Sequence, residues 1–273
     1  MLLDDLSRGA EKVPVRLIGD LPPPLMTYIR TCHSADSRSH AAELVGCRCE
    51  GMCLPASPCD CLGGTPCAYD EERRLRAITE PPADDGRAAP LIIECTDACC
   101  CSHRCANRVV SAGLTVPLQV FATAARGWGL RTLAPIRRGA FVCEYAGELL
   151  SSGEAACRRA RRGAACNYIL TVREHLPGGQ VVRTTIDPTD AGNVGRFINH
   201  SCDPNLRAFV VRAGSLVPRV ALFAVRDIEE LQELTMFYGD GAGSTATPLA
   251  TAGRTKCLCA EPCCTGFLPC DTD

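Results

Sequence analysis

The chain has 273 residues, of which 46% are hydrophobic and 22% are charged, so it can bury a sizeable core in one large or two modest domains. The formal net charge of −2 excludes a protein that binds DNA through its overall charge, and we predict no direct DNA binding. An acidic balance of this kind suits a basic peptide as the partner.

The 21 cysteines are the unusual feature of the composition. Such a number is typical of a disulfide-rich secreted protein, a metal protein or both. No signal segment opens the sequence, and no apolar run approaches the roughly 20 residues of a membrane helix. We therefore predict thiolate metal ligands in a reducing compartment, and no membrane association.

Residues 1–45 contain a single cysteine and several prolines, in Val13-Pro14-Val15 and in the segment 21–29 (LPPPLMTYI). The prolines disfavour a helix. We predict an extended N-terminal strap.

Residues 46–110 hold eleven cysteines, and a proline-rich break at 80–86, a predicted exposed loop, divides them into two halves. Nine have the short spacings of metal ligands: Cys47, Cys49, Cys53, Cys59 and Cys61 in the first half, and Cys95, Cys99, Cys101 and Cys105 in the second. Nine thiolates cannot form separate four-sulfur zinc sites, but they can hold three zinc ions if three sulfurs bridge. Zinc would then tie the halves together, and metal binding would supply much of the folding energy.

Residues 111–240 are predicted to form a compact β-rich body with several small sheets. Runs of Val, Ile, Leu and Phe, punctuated by Gly or Pro, predict strands at 115–121, 139–145, 167–172, 181–186 and 217–225. Residues 151–165 are the one good helix candidate. Its basic run at 158–162 is interpreted as a solvated helix face rather than a nucleic-acid patch.

The last part of the chain combines a flexible Gly/Ser/Thr linker at 241–253 with a second cysteine cluster at 254–273. Cys257, Cys259 and Cys264 supply three ligands, with Cys263 as an alternative to Cys264. A tetrahedral zinc needs a fourth ligand, and Cys202 is the natural candidate. That bond would fold the tail back over the β-rich body.

Three motifs suggest a family. They are Gly127-Trp128-Gly129, residues 143–148 (CEYAGE) and residues 196–205 (RFINHSCDPN). With the flanking cysteine clusters they resemble the SET-domain protein lysine methyltransferases of the suppressor-of-variegation class, from about Leu6 to Pro269. The resemblance implies a mainly β fold with short helices: a SET-domain β-fold at 111–240, flanked by pre-SET (46–110) and post-SET (254–273) zinc modules.

The resemblance also implies the metal content. The pre-SET module of the class holds a triangular three-zinc cluster, and the post-SET module holds one zinc. The family spacing favours Cys264 over Cys263 and makes Cys67 and Cys100 bystanders. The thirteen predicted ligands are Cys47, Cys49, Cys53, Cys59, Cys61, Cys95, Cys99, Cys101, Cys105, Cys202, Cys257, Cys259 and Cys264.

Taken alone, the Gly-Trp-Gly segment favours a tight turn with a core tryptophan. In SET enzymes, however, the Arg-Gly-Trp segment and the Asn-His pair grip S-adenosylmethionine. The side chain of Asn199 would face the amino-acid end of the cofactor, and His200 would present backbone groups to the adenine. The implied cofactor residues are Arg126, Gly127, Trp128, Tyr168, Arg196, Phe197, Asn199 and His200.

Methyl transfer from a sulfonium to a neutral amine needs alignment, exclusion of water and oxygen acceptors around the methyl group. Tyr238 occupies the family's catalytic tyrosine position. Tyr168 matches the tyrosine that contacts the cofactor and the incoming amine. Both are therefore predicted catalytic residues.

The segment before Tyr238 departs from the family pattern. Leu231 replaces a turn glycine and Gln232 a glutamate, while Phe237 replaces an aspartate. Met236 stands where a Tyr or Phe usually tunes the number of methyl groups. A flexible methionine offers space without a hydroxyl, so Met236 is expected to relax the methylation state or weaken activity.

Three functions are weighed. The first is a histone-lysine methyltransferase acting in the nucleus on chromatin, with the histone H3 tail as substrate, lysine 9 as the class default and lysine 36 as an alternative. The second is a weakly active or inactive chromatin-binding module with the same fold. The third, a secreted disulfide scaffold, is disfavoured by the ligand spacing. The sequence does not indicate an oligomeric state.

Overall fold

β-Strands dominate the protein, and the predicted mainly β fold with a few short helices is confirmed. The computed structural model describes residues 2–22, 25–34, 43–53, 59–63, 65–79, 91–162, 168–175, 178–239 and 255–269. The predicted loop at 80–86, the predicted linker at 241–253, Cys166 and Cys270 lie outside these residues. In the described part of the chain, no helix is long and apolar enough to cross a bilayer.

The elements follow one another from a strand-rich start to a strand-rich body. In chain order the strands are β1 (Leu2–Leu3), β2 (Val15–Ile18), β3 (Thr27–Tyr28), β4 (His33–Ser34), β5 (Ile92–Glu94), β6 (Leu118–Ala122), β7 (Trp128–Thr132), β8 (Phe141–Glu144), β9 (Glu148–Leu150), β10 (Leu170–His175), β11 (Val181–Asp187), β12 (Ala191–Gly192), β13 (Asn199–His200), β14 (Leu206–Ala213), β15 (Arg219–Ala224) and β16 (Glu233–Met236). The helices are α1 (Arg76–Thr79) and α2 (Ser152–Arg162), and a 3₁₀ turn spans Val194–Phe197.

The strands of the described residues form three sheets. The largest has the order β1-β2-β6-β7-β16-β14-β15-β8, with β13 paired to β16 and β5 paired to β14. The second has the order β10-β11-β9-β4, and the third pairs β12 with β3. The main core lies on the large sheet, where β2 shows the alternation of a half-buried strand: Val15 and Leu17 are buried, and Arg16 and Ile18 are exposed.

The N-terminal residues add a strand to each of the three sheets. β2 pairs with β6, β3 with β12 and β4 with β9, all in parallel register. The strap is therefore part of the body's sheets rather than a separate layer.

The five predicted strands occur as β6, β8, β10, β11 and β15, with ends shifted by up to three residues. The strands β7, β14 and β16 were not predicted. The predicted helix is α2, which begins at a capping box: the Ser151 backbone N–H donates to the Glu154 carboxylate at 3.0 Å, and the Glu154 N–H lies 3.3 Å from the Ser151 hydroxyl.

The interpretation of the basic run on α2 as a solvated face was wrong for two of its arginines. Arg158 and Arg162 form ion pairs with Asp187 at 2.8 and 2.9 Å, and the Asp187 side chain is fully buried. These contacts dock α2 against the end of β11. The guanidinium groups and Thr189 lower the pKa of Asp187 although burial opposes them.

The cysteine-rich part is joined to the body through the carboxylate of Glu94, whose residue is 1% exposed. It accepts hydrogen bonds from the Tyr69 hydroxyl at 2.5 Å and from the backbone N–H groups of Val109, Val110 and Ser111 at 2.8–3.1 Å. A buried carboxylate is stable only with such partners. Glu94 thus fixes the chain where it leaves the cysteine-rich part.

Leu231, which stands in place of the family's turn glycine, adopts the backbone conformation that glycine favours. Its φ is +65°, in the left-handed region, and 54% of the residue is exposed. The turn persists because the Leu231 N–H donates to the Thr132 carbonyl at 2.9 Å. A leucine in this conformation carries strain of about 1–2 kcal/mol.

We expect Leu231→Gly to increase the free energy of unfolding by about 0.5–1 kcal/mol, since relief of the strain exceeds the entropic cost of glycine. Urea unfolding of the metal-loaded protein measures the change. Leu216→Gly is the matched control, because Leu216 is similarly exposed (49%) without a positive φ, and it should be neutral or destabilising. Equal effects of the two substitutions would contradict the strain at Leu231.

Candidate active site and thiol clusters

The nine cysteines predicted as ligands in residues 46–110 come together in space. Their sulfur atoms form overlapping groups of four, within which all atoms lie less than 4.8 Å apart. Cys67 and Cys100 belong to none of these groups; Cys67 is buried with its sulfur 3.8 Å from the Asn107 amide oxygen, and Cys100 is exposed. The two halves of the cluster meet at the sulfurs of Cys53 and Cys95, which are 3.7 Å apart.

The spacing of the sulfurs fits a shared metal and not disulfides. All cysteines in the described residues are free thiols. The Cys47–Cys53 and Cys61–Cys99 sulfurs are each 3.6 Å apart, whereas a disulfide bond is about 2.05 Å long. Tetrahedral zinc with bonds of about 2.3 Å would place its sulfur ligands about 3.8 Å apart.

A second group of four sulfurs joins the C-terminal tail to the body. It consists of Cys202, Cys257, Cys259 and Cys264, all half-buried and all within 4.8 Å of one another. Cys263 is exposed and lies outside the group. Cys202 is the second residue after β13, so the tail reaches the segment 196–205.

Two buried asparagines hold that segment in place. Asn193 donates to the Glu144 carbonyl at 2.8 Å and accepts from Gly195 N–H at 3.0 Å, which starts the 3₁₀ turn. Asn205 donates to the Glu233 carbonyl and accepts from Thr235 N–H, both at 2.8 Å. The segment is therefore fixed to β8 on one side and to β16 on the other.

The carboxylate of Glu233 holds two of the predicted cofactor residues, and Glu233 was not among the predicted site residues. Its carboxylate accepts from Arg126 at 2.6 Å and from the Asn199 amide at 3.0 Å. The same amide group also donates to the Trp128 carbonyl at 3.3 Å. The only signal for Glu233 in the sequence was its place in the Glu-Leu pair that precedes Met236 and Tyr238.

His200 uses its ring within the protein rather than presenting only backbone groups. The Tyr238 N–H donates to Nδ1 at 3.3 Å, and Nε2 lies 3.4 Å from the Cys202 sulfur. Its carbonyl accepts from Arg126 at 3.5 Å. Burial, together with the Arg126 charge, lowers the pKa of His200 to about 4, so the imidazole is neutral at physiological pH.

The two predicted catalytic tyrosines lie near a third, Tyr145. The Tyr238 hydroxyl donates to the Ile198 carbonyl at 2.8 Å, and the Tyr145 hydroxyl donates to the Tyr168 carbonyl at 2.5 Å. Burial raises the pKa of Tyr145 and Tyr238, so both phenols stay protonated. Tyr145 lies in a motif used to recognise the family, but its type and spacing alone did not distinguish it from a core aromatic.

One buried polar atom near this site lacks a partner, and one glycine leaves free space beside it. The Arg196 guanidinium lies 4.6 Å from the centre of the Tyr168 ring and 5.4 Å from that of Phe197. Its Nε is buried and has no hydrogen-bond partner in the described part of the chain. Gly127, at φ +66°, has no atom within 4 Å of the position a Cβ would take. This donor set fits a cofactor that has both a carboxylate and a flat ring.

Trp128 is placed differently from a ligand-stacking residue. Its indole N–H donates to the Pro22 carbonyl at 3.1 Å. Only its backbone carbonyl reaches the Asn199 amide. The tryptophan thus holds the strap, while its main chain faces the site.

The residues that depart from the family pattern next to Tyr238 have distinct surroundings. Met236 is 4% exposed and lies in the same hydrophobic cluster as Tyr145, against which Tyr238 packs. Phe237 is 40% exposed, and its ring centre lies 5.3 Å from that of His200. Met236 therefore lies in the hydrophobic core beside the tyrosines, and the Phe237 ring packs against the imidazole.

Comparison with known proteins agrees with this arrangement. The Pre-SET motif matches residues 7–108, and the SET domain matches residues 127–239. The histone-lysine N-methyltransferase SETMAR of Mus musculus is 40% identical over 285 residues, which cover 98% of this chain and 89% of that protein.

Two solved structures extend the comparison. The methyltransferase domain of human SETMAR has a TM-score of 0.81 and 37% identity, covering 98% of both chains. KRYPTONITE in complex with mCHH DNA, an H3(1–15) peptide and SAH has a TM-score of 0.74 and 28% identity, covering 98% of this chain and 54% of its own.

Proposed function

Because the chain belongs to the SET-domain family of histone-lysine methyltransferases, we propose that it transfers methyl groups from S-adenosylmethionine to a lysine of the histone H3 tail. The observation that supports it most is that the Tyr238 hydroxyl donates to the carbonyl of Ile198, the neighbour of Asn199, whose amide is held by Glu233. The H3 peptide and SAH bound to KRYPTONITE, a structural neighbour, support this substrate and cofactor.

The cofactor site is assigned to the residues around Glu233. Asn199 and Arg126 are held ready by that carboxylate, so little ordering is left for the moment of binding. The free Nε of Arg196 offers a further donor, and Gly127 lets a ligand approach the backbone closely. Bound S-adenosylmethionine supplies a methyl group on a sulfonium, which becomes a neutral thioether when an amine takes the methyl group.

The tyrosines orient the lysine amine and do not deprotonate it. Because the raised pKa values keep Tyr145 and Tyr238 protonated, neither can serve as a phenolate base at neutral pH. The lysine must reach the site neutral, after losing its proton to solvent. Tyr238 and the Ile198 carbonyl then provide oxygen atoms around the amine and the methyl group.

We assign three zinc ions to the nine-sulfur cluster, each of which four of the cysteines would hold. Two of its four-sulfur groups share only Cys53, and they are Cys47, Cys49, Cys53, Cys59 and Cys53, Cys95, Cys101, Cys105. The two ligands left over, Cys61 and Cys99, are 3.6 Å apart. Both lie within 4.8 Å of Cys47 and of Cys95, which complete the third site. Cys47, Cys53 and Cys95 would then each belong to two four-sulfur sites, so that nine sulfurs would supply four ligands to each ion.

The tail site is assigned one further zinc, held by Cys202, Cys257, Cys259 and Cys264. Because three of these ligands come from the tail and one from the segment that holds Asn199 and His200, the ion would fasten the tail beside the active site. Such a site contributes folding energy directly.

We expect about four zinc ions per native chain. Cys202→Ser removes a ligand of the tail site and should lower the count by one, measured by elemental mass spectrometry of desalted protein. Cys263→Ser, next to a ligand but outside the group, is the matched control and should retain all the zinc. A loss with Cys263→Ser and none with Cys202→Ser would contradict the assignment of the tail site.

The substrate lysine is proposed from the class: lysine 9 as the default and lysine 36 as the alternative, on chromatin in the nucleus. The alternative function, a weakly active binding module, draws on the strained Leu231 and on Met236 and Phe237 beside Tyr238. A measurement of methyl transfer separates the methyltransferase from the binding module.

In an assay with H3 peptides that contain lysine 9 or lysine 36, we expect the zinc-loaded protein to add whole methyl groups to one lysine, measured by mass spectrometry. Tyr238→Phe should lower kcat by about 100-fold or more, since an oxygen that faces the developing charge is removed. Tyr28→Phe, which loses a hydroxyl bonded to Glu11 in the strap, should behave as native. No methylation of either peptide or of whole nucleosomes would favour the binding module.

Met236 is expected to allow more than one methyl group per lysine, because its buried side chain adds no hydroxyl to the site. Met236→Tyr should shift the products toward monomethyl-lysine, since the new hydroxyl would occupy space and bind the amine. Met236→Phe differs from that variant only by the hydroxyl and should retain the higher products. Mass spectrometry of the products at complete turnover measures both, and identical product ratios would contradict the role of Met236.

A further inference from the structure

We propose that His200 is a positioning residue whose ring ties the catalytic Tyr238 to the metal-binding sulfur of Cys202. The inference rests on the proposed function for the role of Tyr238 and for the zinc at the tail site. It adds a physical link between these two sites, made by one side chain.

The hydrogen bonds fix the tautomer of the ring. Nδ1 accepts from the Tyr238 N–H at 3.3 Å, so it carries no proton. A ring whose Nδ1 carries no proton has its proton on Nε2, which lies 3.4 Å from the Cys202 sulfur. Nε2–H therefore donates to the sulfur. Hydrogen bonds from surrounding groups to the residues that bind a metal commonly orient those residues.

The ring is also held by packing. Phe237 and Tyr238 each have a ring centre 5.3 Å from that of His200, tilted by 51° and 64°. The phenyl ring of Phe237 cannot accept a hydrogen bond from the His200 ring N–H, whereas the aspartate of the family pattern could. On that side of the ring, Phe237 therefore does not compete with the Cys202 sulfur for the proton. His200 is 4% exposed, so water does not easily replace either hydrogen bond of its ring.

The consequence is a mechanical coupling in two directions. A displaced Cys202 would tilt the imidazole and break its hydrogen bond with the Tyr238 N–H. The backbone of Tyr238 would then be free to shift, and its catalytic hydroxyl would shift with it. A loss of the Nε2–H donor would weaken the hold of the tail site on its metal. The active-site tyrosine is thus placed in part by the tail site, through the ring of His200.

Two variants separate the halves of the link. His200→Asn can place an amide oxygen near the Nδ1 position, to accept from Tyr238, but cannot reach the sulfur. His200→Gln can place an amide N–H near the Nε2 position, to donate to the sulfur, but offers no acceptor to Tyr238. We expect the Asn variant to release its tail zinc to a chromogenic chelator about tenfold faster than the Gln variant. We expect the Gln variant to lose more kcat than the Asn variant, with equal affinity of both for S-adenosylhomocysteine by calorimetry.

The native protein provides a test that needs neither variant to be active. ¹⁵N NMR of histidine-labelled, zinc-loaded protein should show the His200 ring neutral with its proton on Nε2, the signal being assigned by its absence in His200→Asn. A proton on Nδ1, or equal zinc release from the two variants, would overturn the link. If the tautomer and the release rates are as expected but no methyl transfer occurs, the proposed function fails and the link stands. If the enzyme is active but the His200 proton is on Nδ1, the proposed function stands and the link fails.

Discussion

The close packing of unbonded sulfur atoms is the constraint on which the rest of this structure depends. In the nine-cysteine cluster the sulfurs lie 3.6–3.7 Å from their neighbours without disulfides. Burial raises the pKa of Cys53 and of Cys61, whereas the hydrogen bond with Cys95 lowers the pKa of Cys105, so without a cation the crowded thiols share protons among themselves. A bound metal replaces those protons and turns poorly solvated thiols into ligands, which makes metal binding and folding one process.

The tail site extends the same constraint to the chemistry. Cys202 joins the tail to the segment that also holds Asn199, and Asn193 and Asn205 fix both ends of that segment. The active site is therefore assembled from parts far apart in sequence, each held by a buried polar contact. This arrangement suits a reaction that depends on alignment more than on acid–base chemistry.

The sequence alone predicted those features that depend on residue type and spacing. The thirteen predicted ligands are the cysteines that the structure brings together. Short spacings indicated the two clusters, and the family resemblance chose Cys264 over Cys263 and set Cys67 and Cys100 aside. Strand β14 was not predicted, since its two arginines and irregular burial hide the alternation of a central strand. Strand β7 was obscured by glycines at 127 and 129, which are typical of a turn.

Features that depend on a distant partner could not be read from the sequence. In the sequence, Arg158 and Arg162 are only members of a basic run. The structure shows that both form ion pairs with Asp187, which is more than twenty residues away. The role of Glu233 appears only when Arg126 and Asn199 meet at its carboxylate. The ring of His200 shows the same limit, since its two partners lie on different elements.

X-ray absorption at the zinc edge of the purified native protein tests the central claim most directly, because it reports the atoms bound to the metal. The account predicts a first shell of sulfur only, at about 2.3 Å, with zinc neighbours beyond it from the bridged cluster. A shell containing nitrogen or oxygen ligands, or a protein with disulfides and no zinc, would contradict it.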